Sequence, residues 1–227
     1  MVKLIFLCRR RTDITHEQYA ELLLHGHVPL ALKHHPALRQ YVVNIVEHSP
    51  DGAEALDSIG ELSFDTLADF RERLYDSAAG QALIEADVRG FMGGAHAYVT
   101  TEHVQKAQVL APSRGAGAPG VKLMCPVRRR AGMTHAEFVE HWLTRHVPLA
   151  LTHHPGLSGY VTNVVEQQLS PTGGEWDGFA ALHFPSAQAR RDGMFDSAEG
   201  ERIIRADMAR FIGRTGAYRV AEYVEKI

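Results

Sequence analysis

A chain of 227 residues with 45% apolar and 22% charged residues has the composition of a folded globular protein, not of a disordered or fibrous one. Its formal net charge of −3 and isoelectric point near 6.5 supply no basic field for nucleic acid. Only two cysteines occur, Cys8 and Cys125, too few for a disulfide framework or a cysteine metal site. No apolar run reaches the about 18 residues of a membrane span, and the N-terminus lacks a signal-peptide pattern, so a cytoplasmic location is expected.

Residues 3–8 form a short apolar run that reads as a strand. Thr15 followed by Gln18 makes a capping box, and Thr134 with Glu137 makes another. From there Tyr19, Leu22, Leu23, Val28, Leu30 and Leu32 keep helical spacing up to His35, where Pro36 enforces a stop. Residues 41–46 read as a second strand, a Ser/Pro/Asp/Gly loop follows, and residues 59–64 read as a third. Asp65 is placed to cap a second helical region that runs to residue 91, and residues 97–103 close the unit as a fourth strand.

The same sequence then returns. Lys122 minus Lys3, His146 minus His27 and Tyr160 minus Tyr41 all give 119. After one inserted residue near Gly173 and Gly174 the offset is 120, so Asp57 answers to Asp177 and Asp87 to Asp207. This period is too long for a solenoid and suits a tandem duplication of a small domain. The expected division is residues 1–105, a Gly/Pro-rich linker over 106–120, and residues 121–227. Strand, helix, strand, strand, helix, strand is a ferredoxin-like βαββαβ order, with one sheet face left bare. Two such repeats packed sheet to sheet give an intrachain α+β barrel, the tether raising the effective concentration of one half for the other.

The second repeat carries FVEHWLTRHVPLAL, YVTNVVE, WDGFAALHF, DSAEG and RADMARFIG. These strings resemble the EthD family of dimeric α+β barrels, and the resemblance spans both repeats. It implies small-molecule chemistry without a bound cofactor, the better understood relatives being dehydratases, cyclases or isomerases of polyketide or aromatic compounds. The first repeat departs from the pattern. Leu22 and Leu23 stand where His141 and Trp142 stand, Gly26 replaces Arg145, and Ser58 and Ile59 replace Gly178 and Phe179.

Several side chains can carry chemistry. His27 and His146 are candidate general bases, or else tie a helix end to backbone carbonyls. Tyr41 and Tyr160 can bond a carbonyl or enolate oxygen. Asn44 and Asn163 lie three residues further on, so an unbulged strand sends them to the opposite face. Asp57 and Asp177 either orient a histidine or cap a turn. Asp87 and Asp207 sit on an apolar helix stripe and need a partner, for which Arg9 or Arg128 is available. Those arginines can also receive a substrate carboxylate, and Trp142 can wall a pocket. The pairs His34-His35 and His153-His154 point about 100° apart on a helix, so no metal site is expected and the helix dipole accounts for them. The functional expectation is a lyase (dehydratase) or isomerase/cyclase using histidine acid–base chemistry on a small hydrophobic carbonyl compound. A non-catalytic carrier and a cofactor-free oxygenase on a phenol are the alternatives. The small molecule is the expected partner, with a homodimer of the two-repeat chain also open.

Overall fold

The computed structural model describes residues 1–108 and 115–227. In the first repeat β1 (Val2–Arg10) leads into one long helical segment. It consists of α1 (His16–Glu21), a π-helical stretch over Leu22–His27, and α2 (Val28–His34). Thr15 and Gln18 form the expected reciprocal cap. β2 (Gln40–His48), β3 (Ser58–Phe64), α3 (Leu67–Glu72), α4 (Ala78–Phe91) and β4 (Met92–Lys106) follow. The cap of α3 is Thr66, not Asp65. Thr66 Oγ1 accepts from the Asp69 amide at 3.1 Å, while Asp65 is drawn off by Arg39 at 2.8 Å. Leu22, assigned to the apolar stripe from its spacing, is 42% exposed, because the π-helical stretch changes the register after Glu21.

The second repeat repeats this plan with β5 (Val121–Arg129), α5 (His135–His141), a π-helical stretch over Trp142–His146 and α6 (Val147–His153). It continues with β6 (Gly159–Gln168), β7 (Gly178–Phe184), α7 (Ala187–Gly193) and α8 (Ala198–Phe211). Its last strand is divided at Gly216 and Ala217 into β8 (Ile212–Thr215) and β9 (Tyr218–Lys226). Of the expected linker, residues 109–114 lie outside the described residues. Gly115 and Ala118 run beside β9, their amides donating to the carbonyls of Val224 and Glu222.

Both π-helical stretches end one residue before a Val-Pro pair, and both are explained by the proline. A proline inside a helix has no N–H and its ring collides with the carbonyl four residues back. Here the amides of Val28 and Val147 reach five residues back, to Leu23 and Trp142, which widens the turn where Pro29 and Pro148 must fit. The extra residue rotates the side chains after it by roughly 100°.

The strands of the first repeat lie in the order β4-β1-β3-β2, all antiparallel. The two sheets were expected to stack face to face. They are instead joined edge to edge, β4 to β6 and β2 to β9, and β5 closes the circle with β7. With β8 and β9 counted as one strand, the result is a closed eight-stranded antiparallel barrel with helices outside. Among the described residues closure leaves no free sheet edge, which a pair of stacked four-stranded sheets would have had.

Alternation along each strand separates two environments. Ile5, Leu7, Ile59, Tyr98, Met124, Phe179 and Tyr218 fill one part of the lumen. Elsewhere in the interior the Lys122 amine donates to Glu61 at 2.7 Å and to Glu222 at 2.5 Å. Burial works against these charges, but the mutual pairing wins. Lys122 is held above its ordinary pKa, and Glu222 is brought down to about 2. Losing one partner would strand a buried charge, at about 3–5 kcal/mol. The outward side chains pack under the helices around Tyr19, Phe64 and Phe91 in one repeat and Phe138, Phe184 and Phe211 in the other. Each such fully buried ring contributes about 1.5–3 kcal/mol.

Candidate active-site pockets

Between helices and barrel wall each repeat encloses one apolar pocket, about 250 Å³ in the first and about 220 Å³ in the second. The first is lined by His27, His35 and Tyr41 among Leu23, Ile84 and Met92. In the second, His146, His154 and Tyr160 stand among Trp142, Ile204 and Met208. The duplication has thus placed the same three polar side chains in two equivalent cavities.

The histidines are held by their Nδ1 atoms. His27 Nδ1 donates to Asp87 at 2.8 Å and His146 Nδ1 donates to Asp207 at 2.9 Å. His35 donates to the Leu74 carbonyl at 2.9 Å, and His154 to the Met194 carbonyl. Carboxylates and carbonyls only accept, so in the neutral ring the proton is on Nδ1 and the Nε2 lone pair is free. Burial lowers the pKa of all four, and for His27 and His146 the opposing pull of the aspartate is the smaller effect. Tyr41 and Tyr160 are pushed up by burial and stay protonated. Each pocket therefore offers two imidazole lone pairs and one phenolic O–H in an apolar setting.

The repeats differ where the sequence said they would. His141 Nε2 also donates to Asp207, at 2.9 Å, so that carboxylate lies between two rings and is 6% exposed. Its counterpart Asp87, facing no such second ring, is 21% exposed. Trp142 walls the second pocket, and its Nε1–H donates to Tyr160 Oη at 3.2 Å. The indole needs Gly178, since a Cβ there would stand 2.2 Å from its ring. The first repeat has Leu23 and Ser58 at those places, and Tyr19 Oη bonds Ser58 Oγ at 2.7 Å. Tyr19, Leu23 and Ser58 in one copy answer to Phe138, Trp142 and Gly178 in the other.

Other candidates lie elsewhere. Asp57 accepts from the Arg10 amide at 2.7 Å, the Arg10 guanidinium at 2.7 Å and His16 at 2.8 Å. Burial alone would raise its pKa, but these bonds outweigh it and lower it. Asp177 accepts in the same way from the Arg129 amide and guanidinium and from His135, so both aspartates join a strand end to a helix start and neither lines a helix-covered pocket. Asn44 and Asn163 face the barrel interior, donating to the carbonyls of Ile59 and Phe179, as the three-residue spacing from the tyrosines required. Arg9 meets Glu54 at 3.3 Å and Arg128 meets Glu175, so neither partners Asp87 or Asp207. Packing α4 and α8 against the π-helical stretches gives those aspartates to histidines instead. His34 and His35 turn to different partners, Asp76 and the Leu74 carbonyl. Sequence reasoning missed His35 and His154 as pocket groups, and Asp87 and Asp207 as the carboxylates that hold His27 and His146. Their recurrence in both copies was the available signal.

A closed α+β barrel with one helix-covered, histidine-bearing pocket per half defines the class of protein. A family model of the EthD domain matches residues 11–95 and 130–215. The chain belongs to the EthD family, as a tandem duplication of its domain. The structure is similar to an anthrone oxidase-like protein at 12% identity, with a TM-score of 0.63, covering 99% of this chain and 93% of that one. It is similar to a protein named as a candidate monooxygenase from Fusobacterium nucleatum at 9% identity, with a TM-score of 0.62, covering 99% and 94%. A second so named, from Lactobacillus acidophilus, is similar at 10% identity with a TM-score of 0.54, covering 99% and 96%. At these identities the likeness is one of fold. No curated protein matches the chain in sequence. Among the described residues no helix is long and apolar enough to cross a membrane.

Proposed function

We propose that the chain is an enzyme whose general base is His146, with His27 as its counterpart, acting without a bound cofactor on a small, largely apolar carbonyl compound. The observation that carries this reading is an imidazole fixed through Nδ1 by Asp207, with Nε2 free in an apolar cavity beside a protonated tyrosine. Nε2 takes a proton from the carbon next to the carbonyl. The electron pair moves onto the carbonyl oxygen, and the Tyr160 O–H donates to the enolate so formed. Tyr160 Oη already accepts from Trp142, which leaves its own hydrogen for the substrate. The imidazolium then returns its proton, to a different carbon in an isomerisation or to a departing hydroxyl in a dehydration. General base help of this kind is worth about 10²–10⁴-fold, and an oriented oxyanion donor about 10²–10³-fold.

A second reading uses the same base on a phenolic O–H, producing a phenolate electron-rich enough to react with oxygen. The similarity to proteins named anthrone oxidase-like and candidate monooxygenases favours it. Each repeat, with its strand order β4-β1-β3-β2 in the first and β8/β9-β5-β7-β6 in the second, we read as a ferredoxin-like unit, with domain limits at 1–105 and 121–227.

The test is incubation of the protein with a panel of aromatic and polyketide carbonyl compounds, followed by mass spectrometry. Loss of water or an isomer of unchanged mass supports the first reading, and gain of oxygen the second. Binding without conversion across the panel supports a carrier and refutes both. On the compound that turns over, His146→Gln should lower kcat by about 10²–10⁴-fold with the fold intact. A destabilised but active variant removes His146 from the mechanism.

A further inference from the structure

Two copies of one fold in one chain allow a place in the second to be compared with its own ancestor in the first. Where β5 and β8 reach the end of the barrel, an open cleft of about 890 Å³ is lined by Arg128, Arg130, Arg214, His135 and Trp176. It shares no lining residue with the helix-covered pocket of that repeat. The Arg214 guanidinium lies over the Trp176 indole, 5.2 Å from the ring centroid. Arg128 and Arg129 are engaged by Glu175 and Asp177. Among the described residues neither Arg130 nor Arg214 has an acidic partner.

The first repeat is built differently at each of these points. Arg11, the counterpart of Arg130, is gripped by both carboxylate oxygens of Asp13, at 2.8 and 2.7 Å. The position of Asp13 is Gly132 in the second repeat (132 minus 119). Arg214 answers to Gly94 and Trp176 to Leu56 (214 and 176 minus 120). One negative charge has gone and one positive charge has arrived, a net change of two, together with an indole in place of a buried leucine. The two guanidiniums are exposed, have no acidic partner among the described residues and bury little, whereas the Trp176 ring is partly buried against the lumen cluster that holds Ile59, Tyr98 and Phe179. Together they make a surface with two guanidinium forks that hold no carboxylate, one of them stacked on the Trp176 indole, and a guanidinium fork matches a carboxylate in two hydrogen bonds. The lining also holds Glu166, Glu175 and Asp177, of which Glu175 and Asp177 are engaged by Arg128 and Arg129, so Arg130 and Arg214 are the lining arginines with no carboxylate on them among the described residues.

We propose that this cleft is a binding site for a planar aromatic carboxylate, its carboxylate held by Arg130 and Arg214 and its ring laid against Trp176. The cleft is within the size range of small-molecule sites. The site is independent of the pocket chemistry and exists in the second repeat alone.

The test is calorimetric titration of the full chain with 2-naphthoate, with uncharged 2-naphthamide and inorganic phosphate as comparisons. Naphthoate is expected to bind at least tenfold more tightly than either. The double variant Arg130→Gln, Arg214→Gln should weaken naphthoate at least tenfold without lowering Tm, and Trp176→Leu should weaken it as well. In a Trp142→Phe protein, Trp176 is the one tryptophan left of two, so naphthoate should quench its fluorescence. Equal binding of naphthamide, or unchanged binding by the arginine double variant, overturns the proposal. Phosphate as tight as naphthoate overturns its aromatic part and leaves a plain anion site. Leucine is the first repeat's own residue at the tryptophan position, and both arginines are exposed, so the variants leave the fold a fair control.

Discussion

At the scale of the residue, the unit of interest is a histidine whose two nitrogens have been given different work. Asp207 accepts a hydrogen bond from His146 Nδ1–H and thereby decides which nitrogen faces the cavity. Asp207→Asn should keep the volume but remove the charge that offsets the burial of the ring. The rate of the wild-type enzyme is expected to rise with pH through a midpoint below the ordinary histidine value of about 6.5, because a base must be neutral and burial lowers this one. In Asp207→Asn that midpoint should move lower still, with kcat reduced about tenfold or more. A pH–rate profile of both proteins decides it. An unmoved midpoint would mean that the aspartate only holds the helices together. The first repeat offers the same histidine with a more exposed aspartate and no Trp142. His146→Ala is therefore expected to cost more activity than His27→Ala, and equal losses would count against the asymmetry.

At the scale of the element, the π-helical stretch and the strand beneath it have changed together. Trp142 fits because Gly178 has no side chain, and Ser58 fits because Leu23 is small. Gly178→Ser alone should destabilise the protein by about 1–3 kcal/mol through overpacking. Adding Trp142→Leu and Phe138→Tyr rebuilds the first repeat's arrangement and should recover most of that loss. Urea unfolding of the single and triple variants measures it, and additive losses would show that the three positions do not act as a set. The helix caps were legible from short-range chemistry, Thr15 with Gln18 and Thr134 with Glu137, because a capping box is satisfied within four residues. The cap of α3 was not, because Asp65 and Thr66 compete for one role and Arg39, 26 residues away in the chain, takes the aspartate.

At the scale of the whole molecule, closure of the barrel makes each repeat depend on the other. A chain of residues 1–106 alone would present β2 and β4 as unpaired edges and half a lumen to water. It is expected to associate into dimers that rebuild an eight-stranded barrel, and a stable monomer by size-exclusion chromatography would contradict this. Acid should also loosen the whole protein. His27, His35, His146 and His154 have folded pKa values below that of the unfolded chain. The unfolded state therefore binds more protons in the window below about 6.5, and stability rises with pH across it. Glu61 and Glu222 are depressed by Lys122 despite burial, so their contribution is present above the ordinary glutamate range and is lost as pH falls through it. Unfolding midpoints in urea should be level above neutrality and fall on acidification in two stages. A midpoint independent of pH between about 7 and 5 would show that the histidines carry no net linkage.

The sequence by itself determined the duplication, the family, the order of strands and helices, the capping boxes at Thr15 and Thr134 and the recurrence of His27 and Tyr41 as His146 and Tyr160 one repeat on. These are local or periodic properties, and each can be seen in a single stretch of chain or by sliding the chain along itself. Alternation along β2 also sufficed to send Tyr41 and Asn44 to opposite faces. The tertiary structure alone decided which carboxylate meets which histidine. Asp87 is 60 residues from His27 and Asp57 is 41 from His16, and nothing short-range distinguishes the two pairings. It alone decided that the sheets close edge to edge, because backbone hydrogen bonds between β4 and β6 carry no residue signature. And it alone showed that Arg9 and Arg128 lie with rim glutamates while Arg130 and Arg214 have no acidic partner among the described residues, since long side chains choose partners by position in space.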